Sequence, residues 1–167
     1  MAKVILGRYK GIRVPQHLTD KEKEDYVIEE ILVHSTVKVS EKEVTERARR
    51  MAEEYALRLT QQGLSIEQYY GASNTDEKAL VSKMKELAKK QLRKRMLLEE
   101  IAEKEGITAT EEELDREIEK LTIRYPLGKE EIKKVMQGEE EVRLRNEIVI
   151  KKAVDFLVEQ TKKCEVT

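Results

Sequence analysis

The stretch that decides the fold runs from Thr75 to Glu105 and reads TDEKALVSKMKELAKKQLRKRMLLEEIAEKE. It contains no Gly and no Pro, nearly all of its residues favour a helix, and Gly106 follows it directly. The stretch therefore predicts one long spine helix, roughly 45 Å in length at a rise of 1.5 Å per residue. Such a helix is longer than a compact domain of this size is wide.

Apolar residues follow one face of this helix at intervals of three and four. The predicted stripe consists of Leu80, Met84, Leu87, Ala88, Gln91, Leu92, Leu98, Ile101 and Ala102. Three further apolar residues lie off it: Val81, Met96 and Leu97. We expect Val81 and Leu97 to pack under neighbouring helices and the basic run from Lys83 to Arg95 to face water.

Composition limits the kind of core and the kind of partner. Of 167 residues, 40% are charged, one is Phe and none is Trp, so the core must be built from aliphatic side chains and Met. This composition favours helices in a single layer or in hairpins. The net charge of −1 gives the chain as a whole no signature of DNA or membrane binding.

Outward from the spine, four helix starts carry a capping box, in which Ser or Thr is followed three residues later by Glu or Gln. The boxes are Thr19 with Glu22, Ser40 with Glu43, Ser65 with Gln68, and Thr110 with Glu113. Residues 1–18, with Pro15 and two glycines, predict an extended arm.

The remaining pattern predicts an all-α fold with short connections. Helices are expected at 19–34, 41–62, 111–125, 129–137 and 139–162, with a brief turn at 66–70, a loop from Gly71, and Val142 on the apolar stripe of the last helix. Short connections favour antiparallel neighbours. We expect the helix at 41 to pair with the spine helix, and the helix at 111 to pair with the last one.

No constellation of catalytic residues is found in the sequence. Glu30 and His34 could face a metal ion from one helix, but the spacing suggests no third ligand. Phosphate-binding and dinucleotide-binding glycine motifs are absent from the 167 residues, and Cys164 is the single cysteine, in an expected frayed tail. The sequence thus predicts a protein without catalytic residue, metal or cofactor. One cysteine and the lack of a signal-peptide core at the N-terminus favour the cytoplasm.

Several stretches resemble a known family. They are QGLSIEQYY at 62–70, KKQLRKRMLLEEIAEKEGITATEEELDREI at 89–118, KKAVDFLVE at 151–159, and GRYKGIRV at 7–14. Their order is similar to that of the C-terminal domain of bacterial trigger factor, over roughly residues 26–162. Residues corresponding to the family's ribosome-binding and prolyl isomerase domains are not found, so neither isomerase activity nor ribosome contact is expected. A short natural relative and a trimmed piece remain equally open.

The resemblance implies an architecture and a function. The expected domains are an extended N-terminal arm at 1–18 and a helical chaperone domain at 19–167, elongated, with a long spine helix and two projecting helical arms. An ATP-independent chaperone of this kind holds unfolded or nascent polypeptides in an apolar groove between arms and body. The alternative is a non-enzymatic interaction protein whose groove mediates homodimerisation or binds one folded partner.

Candidate binding residues are the apolar side chains left after the helical stripes are assigned, together with stripe residues that could serve either role. They are Met51, Tyr55, Leu59, Tyr69, Tyr70, Met84, Met96, Ile123, Tyr125, Leu127, Val135 and Met136. Met51, Tyr55, Leu59 and Met84 lie on stripes, and a place in the core explains them as well. Contact with RNA through the lysine-rich middle of the spine helix is a further alternative, although the aromatic side chains typical of single-strand binding are missing there.

Overall fold

The structure of the protein, a computed structural model, describes residues 3–162. These residues form seven α-helices and two short strands, which confirms the all-α prediction; Cys164 lies outside the described residues. The elements are β1 Val4–Ile5, α1 Asp20–Val33, β2 Thr36–Val37, α2 Glu41–Gln61, α3 Ile66–Ser73, α4 Glu77–Glu105, α5 Glu111–Arg124, α6 Lys129–Val135 and α7 Glu139–Lys162.

The helix starts follow local sequence closely, and all four predicted capping boxes are present. At α2, the Ser40 hydroxyl accepts a hydrogen bond from the Glu43 amide at 3.2 Å, and the Glu43 carboxylate accepts one from the Ser40 amide at 3.1 Å. Helix α4 begins at Glu77, two residues later than predicted. The reason is that the Asp76 carboxylate accepts a hydrogen bond from the Ala79 amide at 2.7 Å, which makes Asp76 the cap.

Two helix ends show why Gly punctuates the sequence. Gly63 has φ of +81° after α2, and Gly106 has φ of +66° after α4, a region that side chains with a β-carbon disfavour. In both turns an amide donates back to a carbonyl five residues earlier, as from Leu64 to Leu59 at 2.9 Å. Helix α3, by contrast, is longer than the predicted turn. It continues through Gly71 and ends at Asn74, whose φ is 49°.

The described residues divide into two compact units. The first, called the α2 unit here, contains residues 3–5 and 36–96; the second, the α7 unit, contains residues 6–35 and 97–162. Helix α4 contributes its first twenty residues to the α2 unit and the rest to the α7 unit. In the α2 unit, β1 pairs with β2 antiparallel, with Val4 opposite Val37. The arm thus contains a strand whose partner lies more than thirty residues away, a pairing that local pattern does not predict.

Helices α2 and α4 pack through a small aliphatic cluster in the α2 unit. Val44, Ala48, Met51 and Ala88 are buried there, and Val81, Met84 and Leu92 pack against them. The expected antiparallel hairpin is wrong. Glu41 pairs with Lys85 at 3.3 Å and Arg47 with Gln91 at 3.2 Å, so partner numbers rise together, whereas in an antiparallel pair they would fall. Helix α3 lies between α2 and α4 in the chain and brings the chain back before α4 begins.

The predicted stripe on α4 needs one correction. Leu87, assigned to the packed face, is 48% exposed, because the cluster takes Val81, Met84 and Ala88 instead and leaves Leu87 on the outer side. Val81 therefore packs under a neighbouring helix as predicted. Leu97 is fully buried, which confirms the expectation for that residue as well.

The main core of the α7 unit draws on three helices. Helix α1 packs against α7, and the most deeply buried side chains come from α1, the last turns of α4 and α7. They are Val27, Ile28, Ile31, Leu97, Leu98, Ile101, Ala102, Ala153 and Leu157. Helices α5 and α6 add a second cluster, described below.

The N-terminal arm is anchored in this unit at two points. The Tyr9 hydroxyl donates a hydrogen bond to the Glu105 carboxylate at 2.6 Å, and Lys10 pairs with the same carboxylate at 2.8 Å. Burial and the neighbouring Glu105 raise the pKa of Tyr9 to about 12. Earlier in the arm, the Gly7 amide donates to the Ser35 hydroxyl at 2.9 Å. A β-carbon on Gly7 would lie 2.0 Å from the carbonyl oxygen of His34, so this contact requires glycine.

Candidate functional site

Three exposed, large apolar side chains of the α7 unit lie close together in sequence at the turn between α5 and α6. Ile123 is 86% exposed, Tyr125 56% and Leu127 42%. We call these three residues the apolar tip. Large apolar side chains grouped in this way on a protein surface often mark a site of contact with another molecule.

The turn is held by the backbone and by Pro126. Tyr125 is extended, with φ of −119° and ψ of 138°, as expected of a residue before Pro. Its amide donates to the Leu121 carbonyl at 3.0 Å, and the Leu127 amide donates to the Tyr125 carbonyl at 2.8 Å. The three tip side chains are therefore presented by an ordered turn.

Ion pairs join the two helices behind the tip. Lys129 pairs with Glu119 at 3.0 Å and Lys133 with Asp115 at 3.1 Å, so partner numbers fall as the chain advances and α5 and α6 form an antiparallel hairpin. Helix α5 also packs against α7, so the expected pairing of α5 with the last helix is confirmed, and the hairpin of α5 with α6 is an addition that the sequence analysis did not predict. The hydrogen bond to Glu119 raises the pKa of Lys129, and the hydrogen bond to Lys133 lowers the pKa of Asp115.

An aliphatic cluster supports this hairpin from within the α7 unit. Leu114, Ile118, Ile132 and Ile148 are buried, and Met136 packs against them half-buried. A shallow groove of about 230 Å³ lies over this cluster, lined by Leu114, Ile118, Met136 and Leu144 and edged by charged residues. Val135 is 68% exposed but lies at the other end of α6 from the tip. The structure thus groups Ile123, Tyr125 and Leu127 and separates Val135 and Met136 from them.

A second candidate surface lies in the α2 unit, where three tyrosines meet. The rings of Tyr55 and Tyr69 are 5.3 Å apart at 74°, and those of Tyr69 and Tyr70 are 6.0 Å apart at 55°. All three are half-buried, and the Arg58 guanidinium lies 5.9 Å from the Tyr55 ring. We call Tyr55, Tyr69 and Tyr70 the tyrosine surface. Its rings offer an apolar face together with hydroxyl groups.

Two phenols of this surface, those of Tyr55 and Tyr70, hold their protons. A hydrogen bond shared with Tyr69, followed by burial, raises the pKa of Tyr55. Burial and the carboxylates of Glu77, Asp76 and Glu67 raise the pKa of Tyr70. Both hydroxyls are therefore neutral at physiological pH and can donate as well as accept hydrogen bonds.

The other candidate residues of the α2 unit lie deeper. Met51 and Leu59 are buried, at 9% and 8% exposed, the core placement that their helical stripes also allowed. Met84 is half-buried against the α2–α4 cluster, and Met96 is half-buried on α4. In this structure Met51 and Leu59 therefore lie in the core, and Met84 packs against the α2–α4 cluster.

Some exposed apolar residues were not among the candidates. Leu57 is 60% exposed and Val142 65%. Val142 was assigned to the apolar stripe of α7. It lies in the first turn of this helix, ahead of Leu144 and Ile148, which are the residues of α7 that join the buried cluster. Val142 therefore remains uncovered. Leu57 lies two residues from both Tyr55 and Leu59 on α2, on the opposite side of the helix from their stripe. A helical-wheel count would have found Leu57, whereas Val142 lies on the stripe and only the packing of α7 shows that it is uncovered.

A wider groove runs between α5 and α7 and has an evenly charged rim. It encloses about 470 Å³, has Leu144 and Ile148 at its floor, and is edged by four acidic and four basic side chains. At one end Lys152 donates to Glu113 at 3.0 Å and to the Thr108 carbonyl at 2.6 Å. Because the acidic and basic side chains are equal in number, the groove favours neither an anionic nor a cationic ligand.

Residues 3–162 contain neither a membrane-spanning helix nor a cluster of metal-binding side chains. No helix in that range is both long and apolar enough to cross a membrane. Nor do three or more His, Cys, Asp or Glu side chains in that range lie close enough together to hold a metal ion.

An all-α fold that presents apolar side chains on ordered turns is typical of a helical protein-binding module. The comparisons with known proteins name the family. Residues 14–159 match the model of the bacterial trigger factor protein C-terminus. The trigger factor of Halalkalibacterium halodurans is 34% identical over 148 residues, which cover 87% of this chain and 34% of that protein. The trigger factor of a Geobacillus species is 37% identical over 138 residues, covering 83% and 32% respectively. The chain therefore belongs to the family of the trigger factor C-terminus, and it spans about a third of the length of these relatives.

Solved structures agree on the fold. A structure from work on the domains of trigger factor from Thermotoga maritima superposes with a TM-score of 0.61 at 19% identity and covers 92% of each chain. A second, from work on substrate recognition by the trigger factor chaperone, superposes with a TM-score of 0.54 at 18% identity and covers 85% of this chain and 34% of the other.

Proposed function

We propose that this chain is an ATP-independent chaperone module that binds unfolded or nascent polypeptide without catalytic residues or a cofactor, in the cytoplasm. The observation that carries the proposal is the apolar tip, where three large side chains face solvent on a turn that is itself well ordered. The tyrosine surface is the second contact region. The groove between arms and body expected from the sequence stays a prediction.

The size of the tip suits reversible binding. Complete burial of one large apolar side chain contributes about 1.5–3 kcal/mol, and these three are already partly covered. Their burial by a client therefore contributes roughly 3–6 kcal/mol before the cost of ordering the client chain is subtracted. Affinity of this order is weak, and a chaperone has to release its client. The aliphatic cluster behind the tip lets the surface remain exposed without unfolding the hairpin.

The family supports the same proposal. The second solved structure comes from work on promiscuous substrate recognition in the folding and assembly activities of the trigger factor chaperone. Promiscuous recognition needs side chains that adapt to many partners, and the half-buried Met84, Met96 and Met136 have the flexibility for it. This chain spans about a third of the length of its relatives, and their chaperone activity is therefore part of the proposal for it.

The test is suppression of aggregation. A chemically unfolded client, reduced α-lactalbumin, is diluted into buffer with increasing amounts of the protein, and light scattering is followed. We expect suppression at near-stoichiometric amounts. A triple substitution Ile123→Ser, Tyr125→Ser and Leu127→Ser should reduce it severalfold, because it removes the tip without touching the buried cluster.

The matched control changes two apolar residues of similar exposure away from the tip, Val33→Ser and Val142→Ser. It should suppress aggregation as the unchanged protein does. Circular dichroism checks that both variants stay helical. Absence of suppression by the unchanged protein at severalfold excess would refute the proposal. A tight dimer in analytical ultracentrifugation, together with no binding of unfolded clients, would favour the alternative of a homodimer.

A further inference from the structure

The two units carry opposite charge, which the net charge of the whole chain conceals. The α2 unit contains 15 Lys and Arg against 9 Asp and Glu, and the α7 unit contains 17 against 24. The basic excess is concentrated on α4, where seven cations and one carboxylate, Glu86, lie between Lys83 and Arg95. A positive electrostatic potential over one part of a protein surface attracts negatively charged partners.

Four residues of α4 form an exposed row on the side away from the α2–α4 cluster. Lys83, Leu87, Lys90 and Lys94 follow one another at intervals of four, three and four residues, and all four are exposed. We call these residues the lysine row. At 1.5 Å per residue, Lys83 and Lys90 lie about 10 Å apart along the helix, and Lys90 and Lys94 about 6 Å.

The lysines of this row form no ion pair within the protein. Among the described residues, no carboxylate or other hydrogen-bond partner is found for Lys83, Lys90 or Lys94, whereas nearby Lys85 pairs with Glu41. Leu87 in the same row is 48% exposed. The row therefore presents three unpaired ammonium groups around one apolar side chain, with Glu86 as the one carboxylate a helical turn away from Lys83 and Lys90.

We propose that the lysine row binds acidic segments of polypeptide clients that carry an apolar residue between their carboxylates. This rests on the proposed function and names a class of client for it. An extended chain rises about 3.3 Å per residue and turns every second side chain to the same face, so acids four and then two residues apart lie on one face at about 13 and 7 Å, within reach of the long lysine side chains. In the sequence Glu-Ser-Leu-Ser-Glu-Ser-Glu the three acids face the three lysines and the leucine faces Leu87.

A polypeptide fits this row better than a nucleic acid. Single-stranded nucleic acids are usually bound with aromatic side chains on which the bases stack, and the row has none. Exposed Leu87, set between Lys83 and Lys90, gives a phosphodiester backbone nothing to contact, but it can pack against an apolar side chain of a peptide. Only a polypeptide can therefore contact both the lysine ammonium groups and the apolar side chain of Leu87.

The experiment measures binding of two labelled peptides by fluorescence anisotropy, using the full chain. One peptide contains three copies of Glu-Ser-Leu-Ser-Glu-Ser-Glu, and the other has Lys in place of every Glu. Exposed ion pairs contribute about 0.2–1 kcal/mol each, so three of them predict a preference on the order of tenfold for the acidic peptide. Raising the salt from about 50 to about 300 mM should remove most of it, because the charges are exposed.

The variant Lys83→Gln, Lys90→Gln, Lys94→Gln should bind both peptides equally. Its matched control, Lys21→Gln, Lys42→Gln, Lys134→Gln, changes the net charge by the same amount at three exposed lysines elsewhere and should keep the preference.

Equal binding of the two peptides by the unchanged protein, or loss of the preference in the control, would overturn the proposal. So would tighter binding of a poly-uridine strand or an RNA duplex of similar charge. The proposed function is judged separately, by whether the unchanged protein suppresses aggregation of a near-neutral client. The Lys83, Lys90 and Lys94 variant should suppress it equally well, and failure of the variant alone would overturn the assignment of the row to acidic segments.

Discussion

Substituting Gly7 by Ala tests whether the N-terminal arm is fixed by a close backbone approach. The new β-carbon would lie 2.0 Å from the carbonyl oxygen of His34 and 2.7 Å from its carbonyl carbon, and both atoms belong to the backbone, so no side chain can rotate away. The arm must move, and the 2.9 Å hydrogen bond from the Gly7 amide to the Ser35 hydroxyl must lengthen or break.

The magnitude follows from two contributions. Overpacking at a tight contact costs about 1–3 kcal/mol, and loss of one hydrogen bond costs about 0.5–1.5 kcal/mol. We therefore expect Gly7→Ala to lower the free energy of unfolding by about 2–4 kcal/mol in urea denaturation followed by circular dichroism. For a chain of this size this is a fall in melting temperature of roughly 2–4 °C for each kcal/mol.

Gly71→Ala is the matched control, because it makes the same chemical change inside α3 with no atom within 4 Å of the new β-carbon. Alanine favours a helix over glycine by about 1 kcal/mol, so this variant should be neutral or more stable than the unchanged protein. A Gly7→Ala variant as stable as Gly71→Ala would show that the approach of Gly7 to His34 does not exist as described.

Two further predictions concern pH. The pKa of Tyr9 is raised to about 12, so the folded protein holds this proton more tightly than the unfolded chain does, and the stabilisation is complete below pH 10 and is lost as the pH rises to about 12. Ultraviolet absorbance should show one phenol that ionises near pH 12, and Tyr9→Phe should remove it; persistence of that phenol in the variant would refute the assignment. The pKa of Glu113 is lowered, chiefly by the hydrogen bond from Lys152, so its contribution is present above the ordinary value of 4.5 and is lost as the pH falls through the lowered value. Urea titrations between pH 3 and pH 7 should therefore show a smaller loss of stability on acidification for Glu113→Gln than for the unchanged protein, and an equal loss would contradict this.

Features that depend on a few consecutive residues were predictable. Each capping box uses a side chain and an amide three residues apart, so Ser40 and Thr110 indicate helix starts without knowledge of the rest of the fold. The same holds for Gly63 and Gly138, where a positive φ ends the preceding helix or turn. Local hydrogen bonds and local sterics decide all of these.

Features that depend on distant parts of the chain were not predictable. The pairing of Val4 with Val37 and the approach of Gly7 to His34 join segments about thirty residues apart. The packing of α2 against α4 brings Ala48 and Ala88 into one buried cluster, and hydrophobic spacing along each helix does not determine which residues of the two helices meet. For the same reason Leu87 was assigned to the wrong side of α4.

The candidate site shows the same division. Tip residues such as Ile123 could be found because they flank Pro126 and Gly128, where a turn leaves few neighbours to cover them. Met51 and Leu59 could not be assigned, since a helical stripe is equally consistent with a core and with a binding surface. Only the packing of α2 against its neighbours decides how deeply they lie.

The α5–α6 hairpin keeps the residues that hold it together apart from the residues that it displays. Ile118, Ile132 and the ion pairs of Lys129 and Lys133 fix the two helices, while the tip residues Ile123 and Leu127 contribute little to that support. Substitutions at the tip therefore have small effects on folding. Evolution can vary such a turn one residue at a time while the scaffold stays constant, and a protein engineer can graft a new recognition sequence at the same place.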